Sequence, residues 1–277
     1  MHALVMRFPG GRAHALTLSY DDGIEADIRL IEIMKKNGLK GTFNINSALI
    51  PEKKTEGNYR RRLSLEEVVD LYDGVTTEVA IHGAYHPSWG RLPIGSCQAD
   101  ITADRLALEK IFGRIVRGGA YPNGSYSDMT VDCLRTAGIA YCRTTVSTRK
   151  FDIPTDWLRL PATCHHADST LFTLADQFLN DPFGRVSPPR LFYLWGHSYE
   201  FGDKDNWDVI ERFAEKMGGR SEIWYATNIE IYDYVTAYGR LEFSANMEIV
   251  HNPTALDLWF ELDTKPYKIS AGQTVSL

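Results

Sequence analysis

The 277-residue chain carries only four cysteines, Cys97, Cys133, Cys142 and Cys164, and no two of them form a CxxC pair. That spacing offers neither a sulfur-rich zinc site nor a dense disulfide scaffold, and it reads as reduced, buried thiols in a cytoplasmic protein. Positive charge is also short: 30 Lys and Arg against 36 Asp and Glu give a net charge of −6. Nucleic acid and anionic membrane surfaces are therefore not expected partners. No run approaches the ~20 apolar residues of a membrane span. The start of the chain has no apolar core of signal-peptide length, which again favours a cytoplasmic location.

Regular alternation of strand-like and helix-like segments is abundant. "HALTLSY" (14–20) reads as a buried strand, and "IEADIRLIEIMKKNG" (24–38) has apolar residues at helical spacing with a glycine stop. "KGTFNIN" (40–46) is a second strand, "SLEEVVDLYD" (64–73) a helix opened by a Ser64–Glu67 capping box, and "TEVAIHG" (77–83) a third strand. The pattern continues through "RIVRGGAYP", "IAYCRTT", "DWLRLPAT", "RLFYLWGH" and "EIWYAT" as strands with helical segments between them. About seven strand–helix units predict an α/β fold with a parallel sheet closed into a barrel over residues 1–240. From Leu241 the chain alternates at period two and carries turn signals at Asn252–Pro253 and Gly272. Residues 241–277 are thus expected to form a small antiparallel β appendage packed on the barrel.

In a β/α barrel the loops after the strands build the functional face. The strand ends here supply Asp21 and Asp22, Asn44 and Asn46, His82 and His86, Tyr121, His165 and His166, and His197. Two histidines four residues apart can reach one cation, and a carboxylate from another strand end would complete a set that leaves positions open for water and substrate. The adjacent aspartates then have a rationale: one carboxylate can ligate the cation and the other can act as a base. His197, at the end of a late apolar strand, can serve as a cationic acid opposite that base.

These residues resemble the motifs of the polysaccharide deacetylase family, the NodB-homology or carbohydrate esterase family 4 group, over roughly residues 12–240. "SYDDG" is similar to the family's T/S-F/Y-D-D-G, "HGAYH" to its H-S/T-x-x-H/S, and "WGH" to its L-x-H. The resemblance implies a distorted (β/α)7 barrel. It makes Asp21 the catalytic base, Asp22, His82 and His86 the metal ligands, and His197 the acid. It also implies one divalent cation, with Zn2+ first and Co2+, Ni2+ or Mn2+ as alternatives.

The family's R-x-P-Y-G motif aligns with "AYPNG" and puts Ala120 where arginine usually steadies the base. Arg117 lies three residues earlier and in a regular strand would face the other way; a bulge at Gly118–Gly119 would be needed to redirect it. The backbone N–H of Tyr121 or a neighbour is a candidate oxyanion donor by the same resemblance. The family's Asp-Trp element is matched loosely by Asp156 and Trp157. Asn46, Trp195, His165 and His166 are further candidates for lining or supporting the cleft.

The function expected from this resemblance is metal-dependent removal of an N-acetyl or O-acetyl group from a carbohydrate or amino sugar, so an acetylated sugar or oligosaccharide is the expected partner. Alternatives are C–N hydrolysis of a small amide or ureido compound and a degenerate sugar-binding module. A two-His-plus-Asp iron centre is a remote reading, because such sites commonly sit on antiparallel scaffolds. Self-association through the β tail is a further expectation.

Overall fold

The computed structural model describes residues 3–180 and 187–277. In chain order the elements are β1 (Leu4–Arg7), β2 (His14–Asp21), α1 (Ala26–Lys36), β3 (Gly41–Ile45), α2 (Leu65–Leu71), β4 (Thr77–Ile81), α3 (Ile94–Phe112) and β5 (Gly118–Ala120). They continue with α4 (Asp128–Thr136), β6 (Tyr141–Ser147), β7 (Leu160–Ala162), β8 (Cys164–His165), α5 (Leu171–Leu179), β9 (Arg190–Gly196), α6 (Tyr199–Asp203), α7 (Asp208–Met217), β10 (Ile223–Tyr225) and α8 (Asn228–Tyr238).

The main sheet runs β7-β6-β5-β4-β3-β2-β9-β8, every pairing parallel. β2 is central, and all eight of its residues are buried. That explains a near-continuous apolar run in place of alternation, because helices cover one face and the barrel interior fills the other. β10 pairs with the first half of β2, opposite β9, while β3 takes the second half. The segment 160–165 joins the two ends of the sheet. Leu160 and Ala162 are in register with β6, and Cys164 and His165 with β9. Thr163 N–H donates to Tyr193 O at 2.9 Å within that passage. The result is a distorted (β/α)7-type barrel.

Local signals explain several boundaries. Ser64 and Glu67 form the reciprocal capping box that starts α2. α7 buries Ile210, Phe213, Ala214 and Met217, a one-sided apolar stripe at helical spacing. Gly113, with φ 62°, ends α3 in the left-handed conformation that glycine adopts without strain.

The tail contains β11 (Glu242–Phe243), β12 (Ile249–His251), β13 (Leu258–Leu262), β14 (Lys265–Ile269) and β15 (Thr274–Ser276). It forms two small antiparallel sheets, and β13 alternates buried and half-buried residues. One of the two sheets includes the start of the chain. β1 pairs antiparallel with β13, from Leu4↔Leu262 to Arg7↔Trp259. Tyr234 of α8 ties this sheet to the barrel, its hydroxyl donating to Arg7 O at 2.7 Å and accepting from Trp259 N–H at 3.0 Å. Among the described residues, no helix is long and apolar enough to cross a membrane.

Candidate active site

The parallel register brings the ends of β2, β4, β8 and β9 to one end of the barrel, where residues distant in sequence meet. Asp22, His82 and His86 place one ligand atom each within 4.8 Å of one another. His82 follows β4, and its backbone N–H donates to Asp104 Oδ2 at 2.9 Å. Burial pushes the Asp104 carboxyl up to about 7, although the N–H of Ser47 also donates to it at 2.9 Å. His82 and His86 belong to a loop turn and not to a helix: His86 N–H donates to Gly83 O at 3.1 Å. His86 has φ 57° and Asp22 has φ 88°. Two of the three candidate ligands therefore hold backbone conformations that cost energy in a side-chain-bearing residue, a pattern common where function sets the geometry.

The donor set fits a divalent cation. His82 Nδ1 lies 2.9 Å from the carbonyl of Ala120, which fixes the ring hydrogen there and leaves a lone pair on Nε2. Burial lowers the His82 pKa against the pull of Asp21 and Asp22, so the neutral ring is favoured. That Nε2 faces His86 Nε2 at 3.2 Å, close to the ~3.3 Å separation of two nitrogens on tetrahedral zinc. Asp22 Oδ1 is 3.9 Å from His86 Nε2 and supplies the negative member. Asn46 braces this loop, its amide donating to the carbonyls of His82 (2.6 Å) and Gly83 (2.9 Å) while its oxygen accepts from Arg62 (2.9 Å). Arg62 also reaches the backbone carbonyl of Asp22.

Asp21 sits beside this set, with Oδ2 3.7 Å from His82 Nε2 and 3.8 Å from His197 Nε2. It is 3% exposed. Burial alone would raise its carboxyl, but Arg143 foremost, with His82 and His197, holds it well below the usual carboxylate range. Arg143 Nη2 donates to both oxygens, at 2.6 and 2.5 Å, and Asn44 Nδ2 donates to Oδ1 at 2.8 Å. The Arg143 guanidinium also lies 4.4 Å over the Trp195 ring, so Trp195 supports the Arg143–Asp21 pair.

Arg143 is the residue that sequence reasoning missed. Ala120 of β5 and Arg143 of β6 are in-register partners, so both side chains point to the same face of the sheet. The arginine that the family motif carries on one strand is here supplied by the next. Arg117 does not do it: no bulge redirects it, and its guanidinium meets Asp233 of α8 at 2.6 Å on the outside of the barrel. The Tyr121 N–H is likewise not a free oxyanion donor, because it donates to Arg143 O at 3.0 Å. The Tyr121 hydroxyl donates to Leu158 O at 2.5 Å, and its ring stacks on Tyr126. Asp156 caps the turn at Trp157–Arg159 and pairs with Arg159 at 2.9 Å, so this Asp-Trp pair forms a surface turn.

His197 follows β9. Burial lowers its basicity, but a hydrogen bond to Glu200 and the charge of Asp21 more than offset this, and its pKa is raised. His165 and His166 gather on the same Glu200, at 3.5 and 3.3 Å. His166 is buried and pushed down to about 4 by that burial. A glutamate three residues after the histidine, in "HSYE", is the signal that would have found Glu200.

The chain is similar to known proteins over part or most of its length. Residues 9–142 match the family model described as polysaccharide deacetylase. No curated protein matches the chain significantly. A Mycobacterium smegmatis structure provisionally named a polysaccharide deacetylase is 16% identical, with TM-score 0.59, covering 85% of this chain and 94% of its own; this likeness shows the fold. A family 4 carbohydrate esterase from Streptomyces lividans, solved with acetate, is 14% identical over 78% of this chain and 93% of its own, with TM-score 0.48. A Streptococcus pyogenes deacetylase, also solved with acetate, is 22% identical over 47% of this chain, with TM-score 0.41; the chain spans 55% of that structure's length. Residues 9–142, the stretch that carries Asp21, Asp22, His82 and His86, are thus similar to the polysaccharide deacetylase family.

Proposed function

We propose that this protein is a metal-dependent hydrolase that removes an acetyl group, N-linked in the first instance and O-linked as the variant case, from a carbohydrate or amino-sugar substrate. The observation that carries this reading is the division of the adjacent aspartates. Asp22 faces His86, whereas Asp21 lies between His82 and His197 under the hold of Arg143. Asp22, His82 and His86 would hold the divalent cation, Zn2+ first among the candidates, which when bound supplies Lewis-acid polarisation of the acetyl carbonyl and acidifies water.

The chain's own residues carry the proton movements. Asp21 is ionised throughout the working pH range, so its carboxylate is available to take a proton from the attacking water. The same Arg143 contact makes it a weak base, so it holds that proton only transiently. His197, its pKa raised, presents Nε2 toward the same space and gives a proton to the departing amine. Asn46 and Asp104 fix the loop that carries His82, limiting reorganisation during the reaction.

Acetate release from N-acetylglucosamine oligomers, assayed with Zn2+ or Co2+ beside a panel of small amides, tests the reading. Activity on the oligomers that a chelator abolishes and that Asp21→Asn lowers at least ~10²-fold supports it. Oligomer activity that survives both treatments overturns it.

A further inference from the structure

Four titratable side chains form a second cluster beside the candidate base: His165 and His166 from the end of β8, and His197 and Glu200 around the start of α6. Three imidazoles face one carboxylate, with His197 Nδ1 at 2.8 Å from Oε1, His165 Nε2 at 3.5 Å from Oε1 and His166 Nε2 at 3.3 Å from Oε2. We propose that Glu200 is the positioning residue for His197, accepting its Nδ1–H so that Nε2 presents a proton to the cleft. This rests on the reading of His197 as the acid.

The tautomers favour a hydrogen-bond hub over a second cation site. His165 Nδ1 accepts the Ala167 N–H at 3.1 Å, so the neutral ring carries its hydrogen on Nε2, the atom aimed at Glu200. A ligand at that atom would need a lone pair there. His82 in the first cluster shows the reverse arrangement, with Nδ1 at a carbonyl and Nε2 open. Glu200 is therefore surrounded by N–H donors, and Lys204 Nζ adds a cation at 3.3 Å. These partners hold Glu200 ionised, well below the usual carboxylate range, against a burial effect that works the other way. A permanently ionised carboxylate at Nδ1 both orients the imidazole and stabilises its charged form.

The anchoring extends to the backbone around His197. Ser198, the next residue, donates its hydroxyl to the buried Asp27 at 2.5 Å. At the end of β9, a Cβ on Gly196 would lie 2.1 Å from His166 Nδ1. Close passage of the strand over the imidazole thus requires glycine there. The charged and titratable groups around His197 are Asp21 and Asp22 from the end of β2, Tyr199 and Glu200 from its own turn, and His165 and His166 from β8. Around Glu200 they are the three histidines, Lys204, Asp203, Tyr199 and Tyr20.

The experiment is a pH titration of the histidine side chains by 1H–15N correlation spectroscopy on the zinc-loaded protein. His197→Gln identifies the resonance. Glu200→Gln is expected to lower the proton affinity of His197 at least ~10-fold, and Glu200→Asp by a smaller factor. In parallel, the high-pH limb of kcat should move down by the same shift in both variants while KM stays within ~2-fold. A His197 titration unmoved in Glu200→Gln overturns the proposal; if that variant does not fold, an unmoved titration in Glu200→Asp overturns it equally. The titration needs no substrate, so failure of the two readings can be told apart. A shifted His197 in a protein without deacetylase activity overturns the function reading alone.

Discussion

Arg143 and Asp21 form a buried two-oxygen pair, the guanidinium donating to both carboxylate oxygens at 2.6 and 2.5 Å with each partner almost fully shielded from solvent. The pair crosses from β6 to β2 through the barrel interior. Removing one member of a buried pair leaves an uncompensated charge, which costs about 3–5 kcal/mol. Arg143→Met is thus expected to lower stability by that order and kcat/KM by at least ~10²-fold. Its loss also raises the Asp21 pKa, since the strongest influence holding it down is gone. The rising acid limb of the pH–kcat/KM profile should therefore move to higher pH, and an unmoved limb would remove Arg143 from the site.

The register pairing of Ala120 with Arg143 makes a stricter test available. Both side chains enter the same interior space from adjacent strands about 4.8 Å apart. In Arg143→Ala/Ala120→Arg, the guanidinium returns from the strand on which the family motif carries it. The double variant should recover at least ~10-fold in kcat/KM over Arg143→Ala alone. A double variant no better than the single one would show that the route of approach matters as well as the charge.

Most of the barrel was legible in the sequence because each unit announces itself locally: an apolar strand, a polar loop, an amphipathic helix, a glycine stop. The capping box at Ser64 and Glu67 involves residues three apart, and the structure contains it. Asp21, Asp22, His82, His86 and His197 could be singled out for a similar reason, since each lies at the end of a recognisable strand or in the loop just after it. Arg143 could not be placed, because its role depends on which residue of β5 lies beside it, and register is a property of two strands. Its one local trace is a lone cation inside the apolar "IAYCRTT". The parity argument placed Arg117 on the opposite face, and that is where it meets Asp233. The union of β1 with β13 was invisible for a different reason: it pairs residues some 250 positions apart, and no turn signal links them.

The facing nitrogens of His82 and His86 lead to a binding prediction that is independent of catalysis. At 3.2 Å the two nitrogens need either a hydrogen carried by His86 Nε2 or a cation between them, and a cation takes the place of that hydrogen when it binds. Equilibrium dialysis with metal analysis should give one Zn2+ per chain. Asp22→Ala and His86→Ala should each weaken binding by ~10²-fold or more, and Asp21→Asn by much less. A Co2+-loaded sample should show the intense visible bands of a low-coordinate site in the wild type and lose them in His86→Ala. Retention of both metal and spectrum in His86→Ala would rule out the assigned ligand set.

Asp27 gives a pH dependence of stability that belongs to the fold and not to the reaction. It is fully buried in the first turn of α1, where Tyr72 Oη donates at 2.7 Å, Ser198 Oγ at 2.5 Å and the Ile24 N–H at 3.2 Å. Burial outweighs these donors and pushes its carboxyl up to about 7, against an ordinary value of 3.8. The folded state therefore holds this proton more tightly than the unfolded chain. Its stabilisation is fully present below pH ~4, falls as pH rises through 7, and is then lost, a span of order 4 kcal/mol at most. The Asp27→Asn variant has no charge to bury at this position, and the new amide nitrogen can face Ser198 because that hydroxyl is free to rotate into an accepting role. Denaturant titrations at pH 5 and pH 8 should show the wild type losing stability relative to Asp27→Asn at the higher pH. A stability difference between the two proteins that stays constant across that range would mean that Asp27 is already ionised in the fold, held by its three donors.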